Sequence, residues 1–131
     1  MTFTGSSAVG RSIAAKAAFN LKKFAMELGG KNPLIVLADY DMDKAVEIAG
    51  YGAFFHQGQV CMATSRIIVE APVYEEFCRK MTARAQGIKV GDPRAEGTIV
   101  GPLIDVAQCV AISEQITDAV AKGARLLTGG T

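Results

Sequence analysis

Lys22-Lys23-Phe24-Ala25-Met26-Glu27-Leu28-Gly29-Gly30-Lys31-Asn32-Pro33-Leu34-Ile35-Val36-Leu37-Ala38 places two short extended candidates on either side of a glycine pair. Lys22 to Leu28 reads as one strand, stopped by Gly29-Gly30. Leu34 to Ala38 is short, continuous and apolar, the pattern of a strand covered on both faces, as in parallel sheets. Upstream, Phe3-Thr4 reads as the tail of a strand, and Gly5-Ser6-Ser7 as a turn with an N-cap. Val9, Ile13 and Ala17 then recur every four residues, which predicts one helix face to about Phe19.

Downstream, Asp41 and Asp43 sit where a helix start favours negative charge. Ala45, Val46, Ile48, Ala49, Ala53 and Phe54 follow at helical spacing and are expected in the core. Glycines at 50, 52 and 58 are more than a helix tolerates cheaply, so a close backbone approach is expected there. Arg66 to Ala71 reads as a strand. Pro72 suits the first turn of a helix that carries Val73, Phe77 and Met81. Gly91-Asp92-Pro93 and Gly101-Pro102 mark a long loop, Asp105 caps a last helix to about Lys122, and Ala124 to Thr128 reads as a final strand. The order β-α-β-β-α-β-α-loop-α-β predicts an α/β fold with a mainly parallel sheet and flanking helices.

Composition narrows the function classes. Of 131 residues, 50% are hydrophobic, which excludes a disordered chain. Fourteen basic residues against 13 acidic ones leave a net charge of +1 and no basic run, which argues against nucleic-acid and membrane-surface binding. The longest apolar runs fall far below the about 18 residues of a bilayer span. The first residues, Met1 to Ser7, form no signal peptide. Three cysteines without paired spacing (Cys61, Cys78 and Cys109) favour a reducing compartment, so a cytoplasmic location is expected. With His56 the sole histidine and no Cys-x-x-Cys, no metal site is expected. The chain is expected to open in mid-strand and to stop just after one, and it is read as a fragment.

Three local patterns carry chemistry. Phe3-Thr4-Gly5-Ser6-Ser7-Ala8-Val9-Gly10 ends a strand and opens a helix, which gathers free N–H groups and the positive helix end into an anion site. The ordinary alternative is a glycine turn with a serine cap. Met26 to Pro33 places Glu27 before two glycines, where a mobile carboxylate in an apolar cleft can act as a general base. Its alternative is a solvated glutamate before a turn. Phe54 to Arg66 places Cys61 shortly after Gly58, where unpaired backbone amides lower a thiol pKa. Its alternative is a small buried residue, the reading given to Cys78 and Cys109 in their helices. If residues 56 to 61 were helical they would turn by about 500°, leaving His56 and Cys61 roughly 140° apart, so a local Cys–His dyad is not expected.

Together the patterns say more than each alone. Glu-Leu-Gly-Gly-Lys-Asn-Pro from Glu27, then Gly-Gln-x-Cys-x-x-x-x-Arg around Cys61, 34 positions from Glu to Cys, resemble the two signature segments of the aldehyde dehydrogenase superfamily. Phe3-Thr4-Gly5-Ser6 with Gly10 looks like that family's cofactor-side turn, and Gly91-Asp92-Pro93 and Gly101-Pro102-Leu103 are similar to its loop. The resemblance runs in order along essentially the whole chain. It implies a partial aldehyde dehydrogenase fold, with residues 1–29 the tail of the NAD(P)-binding domain and 30–131 part of the catalytic domain.

By the same resemblance, Cys61 is the nucleophile that forms a thiohemiacetal with the aldehyde. Collapse of that adduct delivers hydride to NAD or NADP and leaves an acyl thioester. Glu27 is the base that activates water to hydrolyse it, with Gly29-Gly30 allowing it to swing. The Cys61 N–H supplies half of an oxyanion hole. Gly5 and Ser6 lie by the cofactor pyrophosphate, and Leu28 and Gly29 lie at the nicotinamide end. The family's oxyanion-hole asparagine, ribose-contacting lysine and ribose-binding glutamate have no counterpart within the 131 residues, so the chain alone is expected not to run the cycle. His56 departs from the asparagine common at its position. Phe55 to Val69 looks most like members acting on aromatic aldehydes of the benzaldehyde or vanillin type, and the complete enzyme is expected to be a homo-oligomer. Two alternatives stay open: a relative that passes the thioester to coenzyme A or phosphate, against which Glu27 argues, and a non-catalytic interaction piece.

Overall fold

A computed structural model describes residues 1–130. Two parallel strand pairs form its frame. β1 (Thr2–Gly5) leads into α1 (Ser7–Phe19) and pairs with β2 (Ala25–Leu28), Thr4 opposite Glu27 and Gly5 opposite Leu28. β3 (Asn32–Val36) leads through α2 (Met42–Phe54) to β4 (Thr64–Val69), which lies parallel beside it. The pairs are separate two-stranded sheets, divided at Gly29-Gly30. α3 (Tyr74–Gln86) and α4 (Val106–Ala121) follow, the loop between them braced by a bridge from Val90 to Val100. At 16 residues, α4 is the longest described helix, and among the described residues no helix is long and apolar enough to cross a membrane.

The helix starts follow from the residues expected to make them. The Ser6 side chain accepts from the Val9 N–H. Asp41 accepts from the Asp43 and Lys44 N–H groups, and Asp105 from that of Gln108. The Lys44 N–H, followed by the Lys44 ammonium, holds the Asp41 carboxyl below the usual carboxylate range.

The core lies where α2 and α3 meet the β3–β4 pair: Val36, Met42, Ala45, Val46, Ala49 and Phe77 are buried, with Leu34, Ile67, Val69, Val73 and Met81 against them. The glycines explain how closely the layers approach. A Cβ at Gly50 would stand 3.2 Å from Arg84 Cγ on α3, and one at Gly52 would collide with the Thr64 side chain at the start of β4. In the first unit, a Cβ at Gly10 would stand 2.8 Å from Leu28 Cδ2, so α1 lies close on β2 and a larger residue there would make the Leu28 side chain shift.

Several expectations are corrected. The strands foreseen at 22–28, 34–38 and 66–71 begin at Ala25, Asn32 and Thr64, because Leu21 turns left-handed (φ 54°) and Asn32 already pairs with Thr64. Residues 124–128 form no strand, because no described strand lies beside them to complete a ladder. Ile48 is half exposed rather than in the core, on a face it shares with Ile35, Leu37 and Tyr40. Cys109 is exposed rather than buried, because it lies on an exposed face of α4, none of whose residues is buried. The chain accordingly exposes 9664 Å², against about 6,600 Å² for a compact monomer of its mass.

Candidate active site

One cleft of about 620 Å³ collects the residues singled out from sequence. Thr4, Gly5, Ser6 and Ser7 come from the β1–α1 turn, Glu27, Leu28, Gly29 and Gly30 from the end of β2, and Gly58 to Cys61 from the loop before β4. Parallel pairing brings the first two groups together: strands that run the same way end on the same side, so the Gly5-Ser6 turn and Glu27-Leu28 open side by side. The volume is that of a small-molecule site. Glu27 is the one carboxylate on its wall. It is exposed, so the apolar enclosure expected around it is not supplied by the described residues.

The β1–α1 end of the cleft suits an anion. α1 begins at Ser7 with its first N–H groups directed out of the helix end. Gly5 packs closely on the Phe3 ring, since a Cβ would stand 2.7 Å from it. Gly29 has nothing within 4 Å of where a Cβ would be, so backbone is accessible at the end of β2 as well. Gly30 differs: its Cβ position is 3.2 Å from the Cys61 carbonyl oxygen and 3.0 Å from Asn32 Oδ1. The two glycines thus divide their tasks. Gly29 is free to turn, and Gly30 lets the Cys61 loop lie against the chain.

Cys61 is exposed and unpaired. Its N–H makes no hydrogen bond among the described residues, which leaves a donor at the base of the thiol. The segment before it is unusual. His56 (φ 48°), Gln57 (φ 58°) and Gly58 (φ 71°) form a left-handed turn that ends α2. A left-handed conformation costs an L-residue about 1–2 kcal/mol and is accepted most readily by glycine and asparagine. The turn is held by side-chain amides. Gln59 Oε1 accepts from the Ile104 N–H at 3.1 Å, and Gln57, with its amide oriented to satisfy both neighbours, accepts from the Gly101 N–H at 2.8 Å. These two bonds tie the cysteine loop to the segment from Gly101 to Ile104.

The helical geometry assumed for residues 56–61 is therefore replaced by this turn, in which the His56 ring stands edge-on to Phe55 at 4.3 Å and is not part of the cleft wall. The turn also explains why an asparagine would suit position 56. His56→Asn should raise stability by up to about 1 kcal/mol. Equilibrium denaturant unfolding of the two proteins checks this, and an unchanged or lower midpoint would show that the Phe55 contact outweighs the backbone term.

Sequence reasoning missed two residues. Gln108, on the first turn of α4, also lines the cleft. Asn32 donates through Nδ2 to the carbonyl oxygens of Cys61 at 2.7 Å and Ala63 at 3.2 Å. No local signal marks the second, because its partners lie 29 and 31 positions away.

Comparison with known proteins places the chain in a family. The model of the aldehyde dehydrogenase family matches residues 1–131. Vanillin dehydrogenase of Pseudomonas fluorescens is 45% identical over 99% of this chain, and aldehyde dehydrogenase 1A1 of Homo sapiens 47% identical over 99%. Among solved structures, betaine aldehyde dehydrogenase of Staphylococcus aureus in complex with NAD+ superposes over 99% of the chain with a TM-score of 0.96 at 38% identity. An NAD-dependent benzaldehyde dehydrogenase from Corynebacterium glutamicum does so with 0.91 at 45%. The chain spans about a quarter of the length of these relatives, 26–28% in each case. The chain belongs to the aldehyde dehydrogenase family.

Proposed function

We propose that these residues form the catalytic-cysteine segment of an NAD(P)-dependent enzyme that oxidises an aldehyde to a carboxylic acid. The observation that carries this reading is the single cleft in which Cys61, Glu27 and the Gly5-Ser6 helix start meet. The Cys61 sulfur bonds to the aldehyde carbon, and its own N–H donates to the developing oxyanion. The cofactor, when bound, supplies the hydride acceptor. After oxidation the acyl group is held on Cys61 as a thioester. Glu27 takes a proton from water, the hydroxide displaces the thiolate, and the acid leaves.

The residues present fit the cofactor. The open α1 start at Gly5 and Ser6 suits a pyrophosphate, and the accessible backbone at Leu28 and Gly29 suits the carboxamide of the nicotinamide. Both NAD and NADP remain within the proposal, since a solved NADP-dependent Escherichia coli enzyme matches with a TM-score of 0.95 at 40% identity. Names among the relatives favour an aromatic aldehyde such as vanillin or benzaldehyde, although the human relative is equally similar. The same reading divides the chain at residues 29 and 30, in line with the break between its sheets.

The test is absorbance at 340 nm with benzaldehyde, vanillin or betaine aldehyde and either cofactor, on the native protein carrying these residues and on the 131-residue chain alone. The native protein should reduce the cofactor and the isolated chain should not, in keeping with the about 3,000 Å² of surface it exposes beyond a compact monomer. No reduction by the native protein with any aldehyde would overturn the proposal. Reduction by the isolated chain would overturn its second half.

A further inference from the structure

We infer that Asn32 is a positioning residue for the nucleophile: its side-chain amide fixes the backbone on the far side of Cys61 from the left-handed turn. The inference rests on the reading of Cys61 as nucleophile and adds to it. Pro33 cannot donate to the β3–β4 ladder, and the register slips by one between Asn32, which pairs with Thr64, and Pro33, which pairs with Arg66. The Cys61 and Ala63 carbonyls lie just before β4, ahead of its first ladder residue, Thr64. Asn32 uses both hydrogens of Nδ2 on them, at 2.7 Å to Cys61 and 3.2 Å to Ala63. Gly30 lets this happen by leaving room beside the Cys61 carbonyl.

On the other side, Gln59 holds the loop through Ile104, and the Gln59 N–H donates to His56 O at 3.0 Å. Cys61 therefore stands between two anchored peptide units on an otherwise exposed loop. The consequence is specific to chemistry that builds charge on oxygen. An oxyanion needs the Cys61 N–H at a fixed place relative to the sulfur, whereas simple alkylation of the thiol needs only access.

The experiment compares two reactions of the same thiol in the native protein. With p-nitrophenyl acetate the Cys61 thiolate forms a sulfur–carbon bond, the ester carbon–oxygen bond breaks, and p-nitrophenolate leaves, through an oxyanion. With iodoacetamide it displaces iodide, with no oxyanion. Asn32→Ala should lower the acylation rate roughly tenfold, a fraction of what loss of an oxyanion donor costs, and leave alkylation of Cys61 nearly unchanged. Asn32→Ser, which keeps one shorter donor, should fall between the two and decides the matter if Asn32→Ala does not fold. An unchanged ratio of the two rates, in whichever variant folds, would overturn the inference. Acylation that persists in Cys61→Ala would instead overturn the nucleophile reading on which it rests.

Discussion

Cys61→Ala should remove aldehyde-dependent cofactor reduction in the native protein, with a loss of at least about a thousandfold in kcat, the scale on which covalent enzymes lose their nucleophile. Three observations single out this thiol. It lies on the cleft shared with Glu27 and the α1 start, whereas Cys78 and Cys109 do not. It is exposed on a loop whose own N–H is unpaired among the described residues. It is flanked by residues whose side chains hold backbone rather than one another. Exposure alone would not distinguish it, because Cys109 is exposed too. The decisive reading is therefore kinetic: Cys61→Ala and Cys61→Ser should both be inactive, while Cys109→Ala retains the parent rate. A Cys61→Ala variant that still turned over at a tenth of the parent rate would show that the reaction needs no acyl group on Cys61.

The parts legible in sequence were those set by local chemistry. Ser6, Asp41 and Asp105 announced their helices because a short polar side chain before an apolar period satisfies otherwise unpaired N–H groups. Glycines 50 and 52 announced a close approach, which the structure shows against Arg84 and Thr64. Gly5, Ser6, Glu27, Leu28, Gly29 and Cys61 were singled out by resemblance of their motifs to a family rather than by local chemistry, and they line one cleft. What escaped depended on partners distant in sequence. The two-residue advance of β3 and β4 comes from their mutual register, and the exposure of Ile48 and Cys109 from what does not cover them. The left-handed turn at His56 and Gln57 could not be read as such, because neither residue type demands a positive φ. The clasp by Asn32 joins residues 29 and 31 positions apart, which only the folded chain brings together.

Glu27→Gln separates the two halves of the cycle. Glutamine keeps the size and backbone pairing of residue 27, whose ladder to Thr4 is made by main-chain groups, so β2 and the cleft should be retained. It cannot take a proton from water. If Glu27 serves hydrolysis alone, thiohemiacetal formation and oxidation proceed once, and the acyl group then stays on Cys61. The expected result is a burst of one equivalent of reduced cofactor per cysteine, followed by a steady rate about 10² to 10⁴ times below the parent. Intact mass should show the protein heavier by the acyl group, with Cys61 blocked to iodoacetamide and freed by hydroxylamine. Loss of the burst together with turnover would place Glu27 earlier, in activating the thiol. A steady rate equal to that of the parent would remove it from the mechanism. Turnover restored by added coenzyme A or phosphate would mark a site that hands its thioester to those acceptors. The position of Gly29 favours the first outcome, because a carboxylate beside an unhindered glycine can withdraw while hydride leaves and return with water.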